Sequence, residues 1–305
     1  MAIRPIVAAE CKIEYARGEF DRCSPTVSEG VRKLTSAIRE WLNLGVRWFH
    51  VFAAILWVGQ TYYFTWLDGQ FGRLEKKAAA DGVPAQIWMV HSGGFYAVAK
   101  QKSLGVRPDQ VRWFRWEALM TWVSGMVLLY LVYYASSGLI DADVANISQG
   151  RGIAIGFAVL VGGWLVYDVA ARSRLGRSEA VFAAFSLLAI AALAWGLMHV
   201  LSGRAVYIHV GAVFGTIMTA NVWFRILPSQ RKMIAAAASG DKFDASLGAQ
   251  AKLRSKHNTF MAVPVVFIMI SNHFPVATYG NSYGWEILVA LVVIGWAAAK
   301  LIREA

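Results

Sequence analysis

Charged residues and cysteines are scarce in this chain. Only 16% of its 305 residues are charged, whereas a soluble domain of this length carries about a quarter. That shortage argues against a water-soluble globular domain. There are two cysteines, Cys11 and Cys23. Their spacing fits neither a zinc site nor a redox pair, and no C-x-x-C-H is present, which excludes covalent haem c attachment in the usual way. Both lie in the polar N-terminal stretch, where they either form a disulfide in a periplasmic setting or stay as free thiols. Prolines number seven. The first twenty or so residues lack the continuous apolar core of a signal peptide.

What the chain does have is long apolar runs. A spanning helix needs about 20 mostly apolar residues, and seven runs come near it: 44–67, 118–136, 152–171, 180–201, 205–224, 259–274 and 283–301. The expected fold is all-α, a polytopic membrane helical bundle of about seven transmembrane helices. Residues 1–40 read as a polar N-terminal extension, disordered or preceding a later true start, and 41–305 as the membrane domain. Inside it a long loop covers about 68–117. Its apolar middle, Ile87–Ala99, is too short to span and reads as a re-entrant or interfacial segment.

The net charge of +11 is distributed between the runs. That placement suits orientation in a bilayer and not a nucleic-acid stripe, so no nucleic-acid partner is expected. The connections after the first, third and fifth runs hold eighteen Lys and Arg, against two, Arg151 and Arg204, in the alternating ones. Basic loops face the cytoplasm, which puts the N-terminus outside and the C-terminus inside. The seven basic residues within 1–43 run against this rule.

Placed by helical rise, His50, His199, His209 and His273 fall toward the outer end of four different runs, while His91 and His257 lie in or beside the basic loops. Ionisable groups at membrane depth are costly and usually face the bundle interior. Imidazole pairs of this kind are the axial ligands of a b-type haem; the alternative is that each histidine caps a helix or bonds a carbonyl. No metal beyond a haem iron is expected. Gly211-x-x-x-Gly215 and Gly152-x-x-x-Gly156 read as helix packing. Asp168 is placed to pair with Arg172 four residues on. His91-Ser92-Gly93-Gly94 and Lys256-His257-Asn258-Thr259 combine an imidazole with small or hydrogen-bonding neighbours, as a site for a small anionic heterocycle requires. Asn221 sits near the same end.

These stretches carry a family resemblance: WLNLGVRWFHVFAAILWVGQTYYFTWLD, VHSGGFYAVAK, LVGGWLVYD, SGRAVYIHVGAVFGTIMTANVWFRILPSQRKM and KHNTFMAVPVVFIMISNHFP. Together they resemble the membrane-embedded N-terminal domain of the bacterial urate oxidase (urate hydroxylase) family, from about residue 40 to the end of the chain. The resemblance implies an inner-membrane oxidoreductase subunit that converts urate to 5-hydroxyisourate. In that family a C-terminal cytochrome c domain accepts the electrons. Here the sequence runs just past the seventh run with no haem c motif, so either the acceptor is a separate protein, expected to be a cytochrome c, or the chain is a fragment, or this member does something else. On this reading His91 and His257 are catalytic, Lys256, Asn258 and Asn221 bind substrate, and His50, His199, His209 and His273 hold haem b. A haem-binding electron-transfer or transport protein without urate chemistry is the alternative.

Overall fold

A computed structural model describes residues 24–81, 86–101, 110–239 and 244–304. Cys11 and Cys23 lie outside them, so their pairing is not addressed. The chain divides into two units, Met1–Leu44 and Gly45–Ala305. The bundle and the candidate site belong to the second.

The fold is a helical bundle. Its helices are α1 (Ser24–Asp81), α2 (Trp116–Leu129), α3 (Gln149–Arg172), α4 (Glu179–Met198), α5 (Gly203–Asn221), α6 (Leu227–Ser239), α7 (Ala245–Ser271) and α8 (Gly284–Glu304). Two π-helical turns, Tyr130–Tyr134 and Val222–Ile226, continue α2 and link α5 to α6. Among the described residues, six helices are long and apolar enough to cross a membrane. The apolar run at 259–274 forms the second half of α7, whose first half carries Lys252, Arg254 and Lys256.

Exposure sorts the helices. Trp48 on α1 and Leu188 on α4 are more than two-thirds exposed, as a lipid-facing surface requires. α5 is the opposite: most of its length is buried, from Ala205 to Asn221. It packs against α2, α3, α4 and α7, which makes it the core. Small residues allow these contacts. A Cβ on Gly156 would come within 2.8 Å of His209 Nε2, and one on Gly211 within 2.8 Å of Ile268. Both glycine pairs are expected from the sequence to mark packing, and at these two positions α5 does meet a neighbour closely.

The apolar segment 87–99 forms an antiparallel hairpin, β1 (Gln86–His91) with β2 (Gly94–Ala99), a secondary structure that the sequence reading did not specify. Ser92 and Gly93 have φ of 48° and 76°, the left-handed pair that a two-residue hairpin turn needs. Ile87, Met89 and Val98 pack on Leu67 and Phe71 of α1. Asp68 of α1 pairs with Lys100, just after β2, and with Lys252 of α7.

At the basic end of the bundle one carboxylate gathers three helical elements. Asp168 is 3% exposed. It accepts from Arg225 Nε at 2.8 Å and from Arg225 Nη2, from Arg254 Nη2 at 2.9 Å, and pairs with Arg172 Nε at 3.1 Å. The expected pairing with Arg172 is present, as the most exposed of three. Arg254 is 1% exposed, so removing its counterion strands a buried charge. Asp168→Ala should therefore cost about 3–5 kcal/mol, seen as a lowered melting temperature of the detergent-solubilised protein.

Candidate functional site

Beside that carboxylate a chain of hydrogen bonds ends on a histidine. Asn258 Nδ2 donates to the Met218 carbonyl at 3.0 Å. Asn221 Nδ2 donates to Asn258 Oδ1 at 2.9 Å and to the Tyr167 hydroxyl at 2.9 Å. The amide thus spends both of its hydrogens, and the tyrosine oxygen is an acceptor on that side. Its own proton is left for His257 Nδ1, 2.8 Å away. A neutral imidazole with one nitrogen accepting carries its hydrogen on the other, so His257 offers Nε2–H.

That ring stacks on Phe182 of α4, with centroids 4.7 Å apart and planes 10° apart. Both side chains line a cavity of about 980 Å³ bounded by α3, α4, α5, α7 and α8. Most of its wall is apolar. Charged groups collect in the lining: Lys256 pairs with Glu179, Lys300 of α8 pairs with Glu304, and Arg303 lies over an aromatic ring. The Arg303 guanidinium lies over the Phe260 ring, 5.6 Å from its centroid. Behind the wall, Arg254 lies over the Tyr167 ring at 5.1 Å. Asp168 carries one negative charge against three arginines, so the cluster leaves this end positive.

The residues expected from the sequence are placed unequally. Lys256 and His257 line the cavity. Asn221 and Asn258 are 0% and 4% exposed and do not line it; they act through Tyr167, which sequence reasoning passed over. The signal for Tyr167 was present: it directly precedes the acidic residue of a spanning run. His91 ends β1 at the hairpin turn, is exposed and does not line the cavity. It shares with His257 only the basic end of the sequence pattern.

The four outer histidines also differ. His209 is fully buried; Nδ1 meets the Ala205 carbonyl at 2.7 Å and Nε2 meets the Tyr134 hydroxyl at 3.1 Å. With both nitrogens bonded and Gly156 pressed against Nε2, this imidazole does not fit as an axial ligand of a haem. Its role here is that of a core hydrogen-bonding group. His50 Nδ1 meets Ser124 Oγ at 3.0 Å and His199 Nδ1 meets the Trp195 carbonyl at 2.8 Å. His273 lies past the end of α7 and is exposed. None of the four lines the large cavity. Among the described residues no three His, Cys, Asp or Glu side chains are grouped to hold a metal ion.

His257 precedes the apolar half of α7. Burial, reinforced by the charges of Arg254 and Lys256, pushes its imidazole down to about 4. The ring is then neutral at pH 7, with Nδ1 engaged by Tyr167 and its hydrogen on Nε2. Site-selective ¹⁵N spectra should show a neutral ring with hydrogen on Nε2, unchanged from about pH 6 to 8, where a free histidine titrates. Tyr167→Phe should remove the tautomer preference.

Comparison with known proteins gives one match. A family model described as urate oxidase N-terminal covers residues 36–304. Neither the curated proteins nor the solved structures include a match.

Proposed function

The chain belongs to the urate oxidase N-terminal family, and from that premise we propose that it oxidises urate to 5-hydroxyisourate at the charged end of the cavity. The observation that carries this reading is the 2.8 Å contact of the Tyr167 hydroxyl with His257 Nδ1, which leaves Nε2 as the ring's donor in the lining beside Lys256. Urate is a planar monoanion at neutral pH, rich in carbonyl oxygens. A fixed N–H donor matches such an oxygen, and a positive end attracts the anion.

The overall reaction is urate plus water giving 5-hydroxyisourate, two electrons and two protons. Oxidation removes the electron pair from the purine, and the oxygen of water then bonds to C5. In this scheme His257 orients the heterocycle and stabilises charge on its oxygen. With Nδ1 taken by the Tyr167 hydroxyl and its hydrogen on Nε2, the ring has no free lone pair toward the cavity, so in this scheme another group takes the proton from water. Tyr167 acts through His257 as a positioning residue. Asn221 and Asn258 hold Tyr167 in turn, and the Asp168 cluster supplies the field.

The cellular setting belongs to the same proposal. The six apolar helices would cross the bacterial inner membrane with the basic end toward the cytoplasm, where urate arrives. Electrons would leave toward a separate cytochrome c on the other side. A haem b in this chain would be held by His50, His199 or His273, since His209 has both ring nitrogens bonded.

The test is urate consumption by the purified protein with ferricyanide or cytochrome c as oxidant. Turnover is expected in both. His257→Ala removes a hydrogen bond to a charged ligand and should lower kcat/KM about 10- to 100-fold. Absence of any urate-dependent reduction of either oxidant would overturn the reading.

A further inference from the structure

Adding water at C5 needs a base that His257 does not supply, because the Tyr167 contact takes the one lone pair of its ring. The group that accepts the proton must line the cavity close to that ring and carry a free lone pair. It must also reach solvent, since the proton has to leave. Lysine and arginine are protonated at neutral pH and have no pair to offer. That leaves carboxylates, and among the described residues the lining holds two, Glu179 and Glu304.

Their positions differ. Glu304 pairs with Lys300, one turn back on its own helix. Glu179 opens α4 and pairs across to Lys256 of α7. One turn further along α4, Phe182 stacks on His257, the residue after Lys256. The ion pair and the stack are neighbouring rungs between the same two helices. By helical rise Glu179 and Phe182 stand about 4.5 Å apart. The carboxylate therefore sits beside the imidazole that holds the substrate in the scheme above.

The hydrogen bonding of Glu179 suits the task. Lys256 Nζ donates to Oε1, while Oε2 receives no hydrogen bond among the described residues. One oxygen is tethered and the other is left to accept from water. The Lys256 charge and the N-terminal end of α4 both favour the ionised form, which is the form a base needs. The side chain is 76% exposed, so water reaches it and a captured proton returns to solvent.

We propose that Glu179 is the general base of the hydration step, tethered by Lys256. This rests on the urate reading above. Once the oxidant, ferricyanide or a cytochrome c, has taken two electrons, the purine has shed a proton and holds a C5–nitrogen double bond. A water held on Oε2 attacks C5. The C5–O bond forms, one O–H bond of water breaks, and its proton goes to Glu179. The electron pair of the double bond moves onto the ring nitrogen. That nitrogen takes a proton from solvent and Glu179 releases its own, so the hydration is balanced. Attack by a water held on one side of the ring gives a single enantiomer at C5.

The test is steady-state urate oxidation by the whole purified chain with ferricyanide as oxidant, with circular dichroism of the fresh product. Glu179→Gln should lower kcat about 100-fold, leave the urate KM within about threefold, and give a racemic product. An exposed side chain should leave the melting temperature unchanged. The wild-type kcat should fall toward acid pH as the carboxylate protonates. The glutamine variant should lack that limb, and Glu179→Asp should restore both the limb and the single enantiomer. Glu304→Gln should match the wild type. A Glu179→Gln protein that keeps the wild-type kcat or the single enantiomer would overturn the assignment, as would an equal loss in Glu304→Gln. A wild type that oxidises no urate would sink the urate reading itself, and this step with it.

Discussion

The buried pairing of Asp168 with Arg225 and Arg254 sets the arrangement on which the site depends. Each partner in that cluster is a sequence neighbour of a group in the hydrogen-bond chain. Tyr167 precedes Asp168, Asn221 lies one turn before Arg225, and His257 and Asn258 lie about one turn after Arg254. Fixing Asp168 against the two arginines fixes the register of α3, the turn after α5, and α7 together. The same register brings Asn258, Asn221, Tyr167 and His257 into line. The π-helical turn at Val222–Ile226 belongs to this device. The wider turn changes the phase between α5 and α6 and carries Arg225 itself, which meets both oxygens of Asp168.

Much of the bundle was legible because hydropathy along a chain is one-dimensional and lipid imposes a length. The runs at 152–171 and 180–201 became α3 and α4 with ends shifted by at most three residues. The hairpin was missed for a physical reason. Its two strands are apolar on both faces, with Trp88 and Phe95 exposed and Ile87 and Val98 packed on α1. That erases the alternation that usually betrays a strand. The remaining signal was Ser92-Gly93 between two short runs rich in β-branched and aromatic residues, a hairpin pattern in its own right.

The histidines show the corresponding limit at the site. Depth follows from counting residues along a helix; azimuth does not. His50 and His209 are both placed toward the same end by residue counting, yet one meets Ser124 across to α2 and the other turns into the core against Tyr134. What a ring nitrogen can do is decided by the hydrogen bond that its other nitrogen makes. At His257 that bond comes from Tyr167, which belongs to a different helix 90 residues away in the chain. Lys256 and His257 could be identified as a pair from their sequence. The direction of the proton between Tyr167 and His257 required three helices to be assembled first.

The charge balance of the same cluster bears on the chemistry. One carboxylate facing three guanidinium groups leaves an excess of two positive charges. The two most buried members, Asp168 and Arg254, balance each other, while Arg225 and Arg172 keep contact with solvent and carry the excess. Retaining the excess beside Tyr167, with Arg254 wholly buried over its ring, keeps a fixed field at the end of the cavity before any ligand arrives. An anion that enters there meets charges already oriented, with little reorganisation left to make. On the proposed reading, the relay that aims His257 then directs that anion by a single donor.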